Sequence, residues 1–317
     1  MRILVTGGCG YVGSSLVPAL LNDGHEIVVI DTEWFGNSLP NSSQLHCIKG
    51  DIRESGVYPT ENFEAVIHLA NIANDPSVDL NPELSWEVNT LATLQLLNWA
   101  KRAGVKDFIY ASSGSVYGLS DEPRVTEDLP LLPISTYNKT KMVAEQIVSN
   151  WRDEFRVISL RPATICGYSP RMRFDLAVNL LTYQALANKY IKVLGGAQVR
   201  PNIHIADMVQ VYRHFINNRN IPSGSYNAGF ENLTILEIAN RIATEVGAEI
   251  TVEESNDPRS YRLDSSKLLA TGFKPQFNIS DAIGELKSRF VAGTLENSIM
   301  NNTVARMLEL GLGEPKG

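Results

Sequence analysis

Short apolar runs and helical apolar stripes alternate along the first half of the chain. Residues 2–6, Arg-Ile-Leu-Val-Thr, form an apolar run bounded by glycines, which predicts a buried parallel strand. Over residues 11–22, Val12, Leu16, Ala19 and Leu20 recur at helical spacing. Residues 26–30 (Glu-Ile-Val-Val-Ile) predict a second strand, and residues 45–48, 64–68, 107–111 and 156–160 four more. A long helix is expected over 82–103, with Leu84, Val88, Leu91, Leu94, Leu97 and Trp99 among its apolar positions, and another over 136–151. Beyond Arg161-Pro162 the pattern loosens. Helices are expected over 174–188, 205–216, 234–246 and 280–290, and strands over 191–194 and 225–228, the last rejoining the main sheet as its seventh strand. Thr234 and Glu237 have capping-box spacing. Such βα alternation predicts an α/β fold with a doubly wound parallel sheet and ligands at the strand C-termini.

The first strand runs straight into a glycine-rich turn. Gly7, Gly10 and Gly13 stand at G-x-x-G-x-x-G spacing on a strand-to-helix turn, and Asp31 closes the next strand 18 residues after Gly13. A tight turn brings backbone close to a pyrophosphate, the helix N-terminus faces the negative charge, and the acid accepts hydrogen bonds from ribose hydroxyls. The whole context is that of a Rossmann-type dinucleotide site. Asp31 opposes a 2′-phosphate, and Thr32-Glu33-Trp34 offers no cation to receive one, so NAD is expected rather than NADP.

Bulk composition narrows the classes. A chain of 317 residues can bury one large core or two joined lobes. A net charge of -7 argues against nucleic-acid binding but leaves room for an anionic small substrate met by a few local arginines. No apolar run approaches a membrane span and no signal peptide precedes the first strand, so a cytoplasmic protein away from membranes is expected. Cys9, Cys47 and Cys166 are few and scattered, which suggests neither a disulfide framework nor a metal site.

Tyr137 and Lys141 form a Tyr-x-x-x-Lys pair on one face of the 136–151 helix. A lysine ammonium near a phenol favours the phenolate, so Tyr137 is a candidate general base toward a sugar hydroxyl. Ser113, just past the fifth strand, is placed to relay a proton between substrate and Tyr137. Ser112 and Ser115 read equally as loop caps.

Together the motifs carry a resemblance. Thr-Gly-Gly-x-Gly-Tyr-x-Gly (6–13), His-Leu-Ala (68–70), Asn89, Ser-Ser-x-x-Val-Tyr-Gly (112–118), Tyr-x-x-x-Lys (137–141) and Arg-Pro (161–162) resemble the extended short-chain dehydrogenase/reductases, within them the nucleotide-sugar epimerases and dehydratases. Residues 199–205 resemble that family's substrate-lobe strand, so the likeness spans nearly the whole chain. It implies an NAD-binding domain over 1–165, taking in about 197–228, and a smaller substrate-binding lobe from 166–196 and 229–317. It further implies that Gly7, Gly10, Tyr11, Val12 and Gly13 hold the pyrophosphate and that Asp31 holds the ribose. Asp51 and Ile52 would flank the adenine, and Leu69 and Ala70 line the dinucleotide path. Lys141 would also hold the nicotinamide ribose, Ser113 and Tyr137 the sugar, and Arg200 and Arg259 the substrate diphosphate, a task that suits guanidinium forks. The 82–103 and Tyr137 helices would pair with a second subunit in a homodimer.

The departures bear on the reaction. Asn71 replaces a small apolar residue, Thr164 an asparagine, and Ser-Pro-Arg-Met-Arg (169–173) is an unusual stretch whose arginines read either as diphosphate ligands or as loop charges. Gly114 and Ser115 occupy positions where 4,6-dehydratases carry an acid, and Asp121 and Glu122 are expected on a surface loop. A nucleotide-sugar 4-epimerase working through a transient 4-keto sugar is therefore the first expectation. A 4-dehydrogenase that releases the ketone needs the same groups. A non-catalytic NAD-binding protein would have no need of Ser113, Tyr137 and Lys141.

Overall fold

A computed structural model describes residues 1–255 and 260–313. The first strand, β1 (Arg2–Thr6), shows why its sequence reads as one apolar run. Ile3 and Val5 point into one hydrophobic cluster and Leu4 into another, and all three are fully buried. Helix α1 (Gly13–Asn22) comes next, then β2 (Glu26–Asp31), β3 (Leu45–Lys49) and β4 (Ala65–His68). Helices α2 (Asp75–Leu80), α3 (Pro82–Trp86) and α4 (Ala92–Arg102) lead to β5 (Asp107–Ala111), and α5 (Thr136–Ser149) leads to β6 (Arg156–Pro162). After β7 (Thr164–Cys166) come α6 (Ala177–Asn188), β8 (Tyr190–Leu194), β9 (Val199–His204), α7 (Ile205–Asn217) and β10 (Gly224–Ala228). Seven of these strands form one sheet in the order β10-β6-β5-β4-β1-β2-β3, with every pairing parallel. The expected doubly wound sheet is present, and β10 is its seventh strand. Leu16, Val17 and Leu20 of α1 with Met208, Val211 and Phe215 of α7 cover one face; Leu96 and Leu97 of α4 with Ala144 and Val148 of α5 cover the other. The strand order reverses between β1 and β4, which opens a crevice at their C-terminal ends.

The expected 82–103 helix differs in its middle. Asn81 caps it and Pro82 occupies its first turn, but residues Glu87–Leu91 form a π-helical turn between α3 and α4. The wider turn directs Asn89 inward. Its Oδ1 accepts from Ile72 N at 2.7 Å and its Nδ2 donates to Thr140 Oγ1 at 3.1 Å, which ties the loop after β4 to α5.

Beyond the seven-stranded sheet lie a three-stranded sheet, in which β9 lies between β7 and β11 (Glu231–Thr234), and a parallel pair of β8 with β12 (Glu249–Glu253). Helix α8 (Ile235–Val246) begins with the Thr234–Glu237 capping box expected from the sequence. Short α9 (Ser266–Ala270) precedes α10 (Ile279–Val291), which packs with α6 and α8. The C-terminal α11 (Thr303–Glu309) returns to the main domain. Its Met307 is buried in the cluster that contains Ile30 and Ile52, and Arg306 Nε donates to Trp34 O at 2.5 Å.

Candidate active site

A cleft of about 480 Å³ runs from the glycine turn and Asp31, past the ends of β4 and β5, to Arg200 and Tyr261. The glycine turn is fixed by close approach. A Cβ on Gly7 would lie 2.5 Å from Ala70 N, and one on Gly13 2.5 Å from Gly8 O. The corresponding Cβ on Gly10 would meet Gly7 O at 3.2 Å, and Gly10 itself lines the cleft. Asp31 Oδ2 accepts from Cys9 N at 2.9 Å and Oδ1 from Glu33 N at 2.7 Å. Burial pushes its carboxyl up, and these two bonds act against burial. Tyr11, Val12, Asp51, Ile52, Leu69 and Ala70 all lie on the wall of the same cleft. Asp51 is held by Arg53, whose guanidinium also reaches Glu87 at 2.5 Å.

Ser113, Tyr137 and Lys141 meet at the centre of the cleft. Ser113 comes after β5 and caps a 3₁₀ turn over Gly114–Tyr117; Tyr137 stands in the first turn of α5. The Ser113 hydroxyl lies near enough to the Tyr137 phenol to pull its pKa down. Ser113 Oγ is also 2.7 Å from Ser115 Oγ, which donates to Asn138 Oδ1 at 2.6 Å. Each hydroxyl has one proton, so with Ser115 donating to Asn138, Ser113 donates to Ser115 and keeps its own lone pairs free to accept.

The electrostatics depart from expectation. Burial pushes the Tyr137 phenol above its ordinary value; Arg173 and then the Ser113 hydroxyl pull it back, and Asp75 adds to the rise. The cation acting on the phenol is thus Arg173 rather than Lys141. Lys141 reaches inward, with its Nζ 4.7 Å from the centre of the Tyr110 ring. Burial pushes its ammonium down to about 7, against the attraction of Glu145. Glu145, one further turn along α5, accepts from Ser112 Oγ at 2.5 Å, Ser225 Oγ at 2.7 Å and Arg161 Nη2 at 2.6 Å. Arg161 of the Arg-Pro pair anchors α5 to the sheet in this way. The spacing Tyr137, Lys141, Glu145 places all three on one helix face, a signal the sequence contained.

Residues 167–175 lie across the glycine turn. Ser169 Oγ donates to Tyr11 O at 2.6 Å and meets Ser14 Oγ at 2.8 Å, and Tyr11 donates to Gly167 O at 2.7 Å. The two arginines of this stretch are cleft residues, not loop charges. Arg171 is stacked over Phe35 at 3.8 Å beside Asp31, so a cation does approach that acid, from far along the chain. Its Nη2 donates to Thr303 Oγ1 at 3.3 Å. Arg173 forms a fork with Asp175, at 2.9 and 3.1 Å, and Asp175 accepts from Asn74 Nδ2 at 2.7 Å. Asp75, next to Asn74, lines the cleft and accepts from Ser135 Oγ at 2.6 Å. Sequence reasoning passed over Asp75, Asp175, Tyr261 and Thr303. The only local signal was Asn74-Asp75-Pro76, which reads as an ordinary helix start.

Arg200, on β9, lines the far end of the cleft, together with Thr164 and Tyr261. Arg259 lies outside the described residues. A Cβ on Gly114 would meet Pro162 O at 3.0 Å, so position 114 has little room for an acid; Asp121 and Glu122 are exposed. Among the described residues, no helix is long and apolar enough to cross a membrane.

Comparison with known proteins gives the family. The model of the NAD dependent epimerase/dehydratase family matches residues 3–229. A UDP-glucose 4-epimerase of Mycolicibacterium smegmatis is 30% identical, over 90% of this chain and 97% of its own. UDP-glucuronic acid decarboxylase 1 of Danio rerio is 29% identical, over 96% of this chain and 76% of its own. The crystal structure of UDP-glucuronic acid 4-epimerase from Bacillus cereus, in complex with UDP-glucuronic acid and NAD, superposes with a TM-score of 0.80. It is 28% identical and covers 93% of this chain and 100% of its own.

Proposed function

The chain belongs to the NAD dependent epimerase/dehydratase family, and from that premise we propose that it is a nucleotide-sugar 4-epimerase with a resident, recycled NAD. The cleft fits the cofactor: Gly10 lies open to it, and the nine-tenths-buried Lys141 ammonium suits a partner that enters the cleft, such as the ribose hydroxyls. NAD supplies the redox chemistry, accepting a hydride from C4 of the sugar and returning it to the other face. In this reading Gly7, Gly10, Tyr11, Val12 and Gly13 hold the pyrophosphate, Asp31 the adenosine ribose, and Lys141 the nicotinamide ribose. Tyr137, ionised beforehand and stabilised by Ser113, takes the proton from the C4 hydroxyl as its phenolate and becomes the neutral phenol. Arg173 stabilises that phenolate, and the positive nicotinamide would do the same. Arg200, with Arg259 beyond the described residues, takes the diphosphate.

The Tyr137–Ser113 pair in the cleft, with Arg173 acting on the phenol, carries this reading. The crowded position 114 supports epimerisation over 4,6-dehydration, because an elimination needs an acid–base group there or nearby. The exposed Leu91 and Leu94 support a homodimer, which light scattering would read as twice the 35.0 kDa chain. The test of the reaction is incubation with UDP-, GDP-, CDP- and dTDP-hexoses, followed by chromatography and mass spectrometry. The expected product is an isomer of unchanged mass with no net NADH. A product lighter by two hydrogens would replace the reading with a 4-dehydrogenase, and one lighter by a water with a dehydratase.

A further inference from the structure

Arg171 is enclosed without the anion that its charge calls for. It is 6% exposed, lines the cleft, and stacks on Phe35 with its guanidinium carbon 3.8 Å from the ring centre. The buried Arg161 and the nearby Arg173 are each matched with a carboxylate, at 2.6 and 2.9 Å. Arg171 is not. Its Nε has no hydrogen-bond partner among the described residues, and its Nη2 donates to Thr303 Oγ1 at 3.3 Å, long for a charged donor. Building on the proposed placement of NAD over the glycine turn, we propose that Arg171 is a cofactor-binding residue whose guanidinium takes the NAD pyrophosphate and keeps the cofactor resident.

The backbone that presents Arg171 is pinned to the glycine turn. Ser169 Oγ donates to Tyr11 O at 2.6 Å and lies 2.8 Å from Ser14 Oγ and 2.9 Å from Ser15 Oγ. Arg171 N itself donates to Ser14 Oγ at 3.3 Å. Gly13 and Ser14 open α1, so the arginine is anchored on the helix end whose free N–H groups favour an anion. Its side chain runs from there to Phe35 and Thr303, with Asp31 close enough to act on its charge.

Charge then selects the ligand. Burial pushes the Arg171 guanidinium down to about 9 and Arg173 adds to the fall, while Asp175 and Asp31 act against it. Asp175 is committed to its two-bond fork with Arg173, and Asp31 accepts from Cys9 N and Glu33 N. A buried cation left in this state is costly until an anion joins it. A pyrophosphate carries two negative charges and suits the guanidinium fork. The cofactor's pyrophosphate is the one that belongs at this end, because Arg200 stands at the other end of the cleft with Thr164 and Tyr261. Asp31 opposes a phosphate on the adenosine ribose itself.

The test is calorimetric titration of the cofactor-stripped protein with NAD, NADP and ADP-ribose, and of the NAD-saturated protein with UDP, for the wild type and for Arg171→Met and Arg171→Gln. Both substitutions should weaken NAD and ADP-ribose together by about tenfold or more, the scale of a lost hydrogen bond to a charged group. UDP affinity should stay in place. Neither substitution should lower the melting temperature of the stripped protein, because each removes an unmatched buried charge. A smaller loss of NAD affinity in both variants, or a marked fall in both melting temperatures, would overturn the assignment. So would a loss confined to UDP, which would give the arginine to the substrate's diphosphate. NADP binding tighter than NAD in the wild type, and lost on substitution, would place the guanidinium on a 2′-phosphate instead. Gly10→Ala tests the placement of NAD separately. If it leaves NAD binding intact, the reading of the glycine turn fails; if it weakens NAD while the Arg171 variants do not, this assignment alone fails.

Discussion

Tyr137 illustrates how much of a residue's chemistry lies outside its motif. The Tyr-x-x-x-Lys spacing locates the base, but the cation nearest in effect, Arg173, comes from a loop 36 positions away. Tyr137→Phe removes the proton acceptor while keeping the ring. Turnover of the identified nucleotide sugar should fall by a factor on the order of 10² or more, with NAD retained by the purified protein. A second residue links burial to pH. His68 is enclosed at the end of β4, with Nδ1 2.7 Å from Thr6 Oγ1 and Nε2 2.9 Å from Thr93 Oγ1. Burial, and then Lys141, push its pKa down to about 3, well under its ordinary 6.5. The neutral ring therefore contributes stability that is fully present above pH 6.5 and is lost as pH falls toward 3. Urea unfolding at pH 5 should show about 2 kcal/mol less stability from this group than at pH 7. His68→Gln should flatten that slope; an unchanged slope would show that other groups set it.

At the scale of elements, the sequence was most legible where one local force dominates. The apolar runs of β1, β2 and β5 and the Thr234–Glu237 box appear within a residue of where the pattern places them. The π turn at Glu87–Leu91 was not legible, because its apolar spacing matches an α-helix and only the tertiary partner Ile72 requires Asn89 to turn inward. Strands β7 and β11 were missed for a similar reason: each is short and depends on pairing with β9. The glycine turn combines both kinds of information. Gly13→Ala places a methyl 2.5 Å from Gly8 O, and overpacking against backbone should cost roughly 1–3 kcal/mol in urea unfolding of the cofactor-free protein. Gly10→Ala meets only Gly7 O, at 3.2 Å, and should cost less stability while weakening NAD binding. Equal destabilisation by the two substitutions would contradict this division of roles.

Across the whole molecule, the glycine-turn half of the cleft was readable, whereas of the other half Ser113, Tyr137 and Arg200 were read and Asp75, Asp175 and Tyr261 were not. The glycine-turn half is built from β1, β2, β4 and the turns after them, whose motifs are contiguous. The other half draws Asp75, Arg173, Arg200 and Tyr261 from four separated stretches, and no local pattern announces their convergence. The C-terminal residues read as helix-prone but carried no functional signal, yet Thr303 and Met307 help close the cleft beside Arg171 and Trp34. What joins these parts is the proposed return of one hydride within a closed site. Nucleotide hexoses carrying deuterium at C4 test that claim most directly. The account predicts that the epimeric product keeps its deuterium at C4, at unchanged mass, with no NADH left free. Deuterium washed into solvent, or a product that has lost it to the cofactor, would contradict the account.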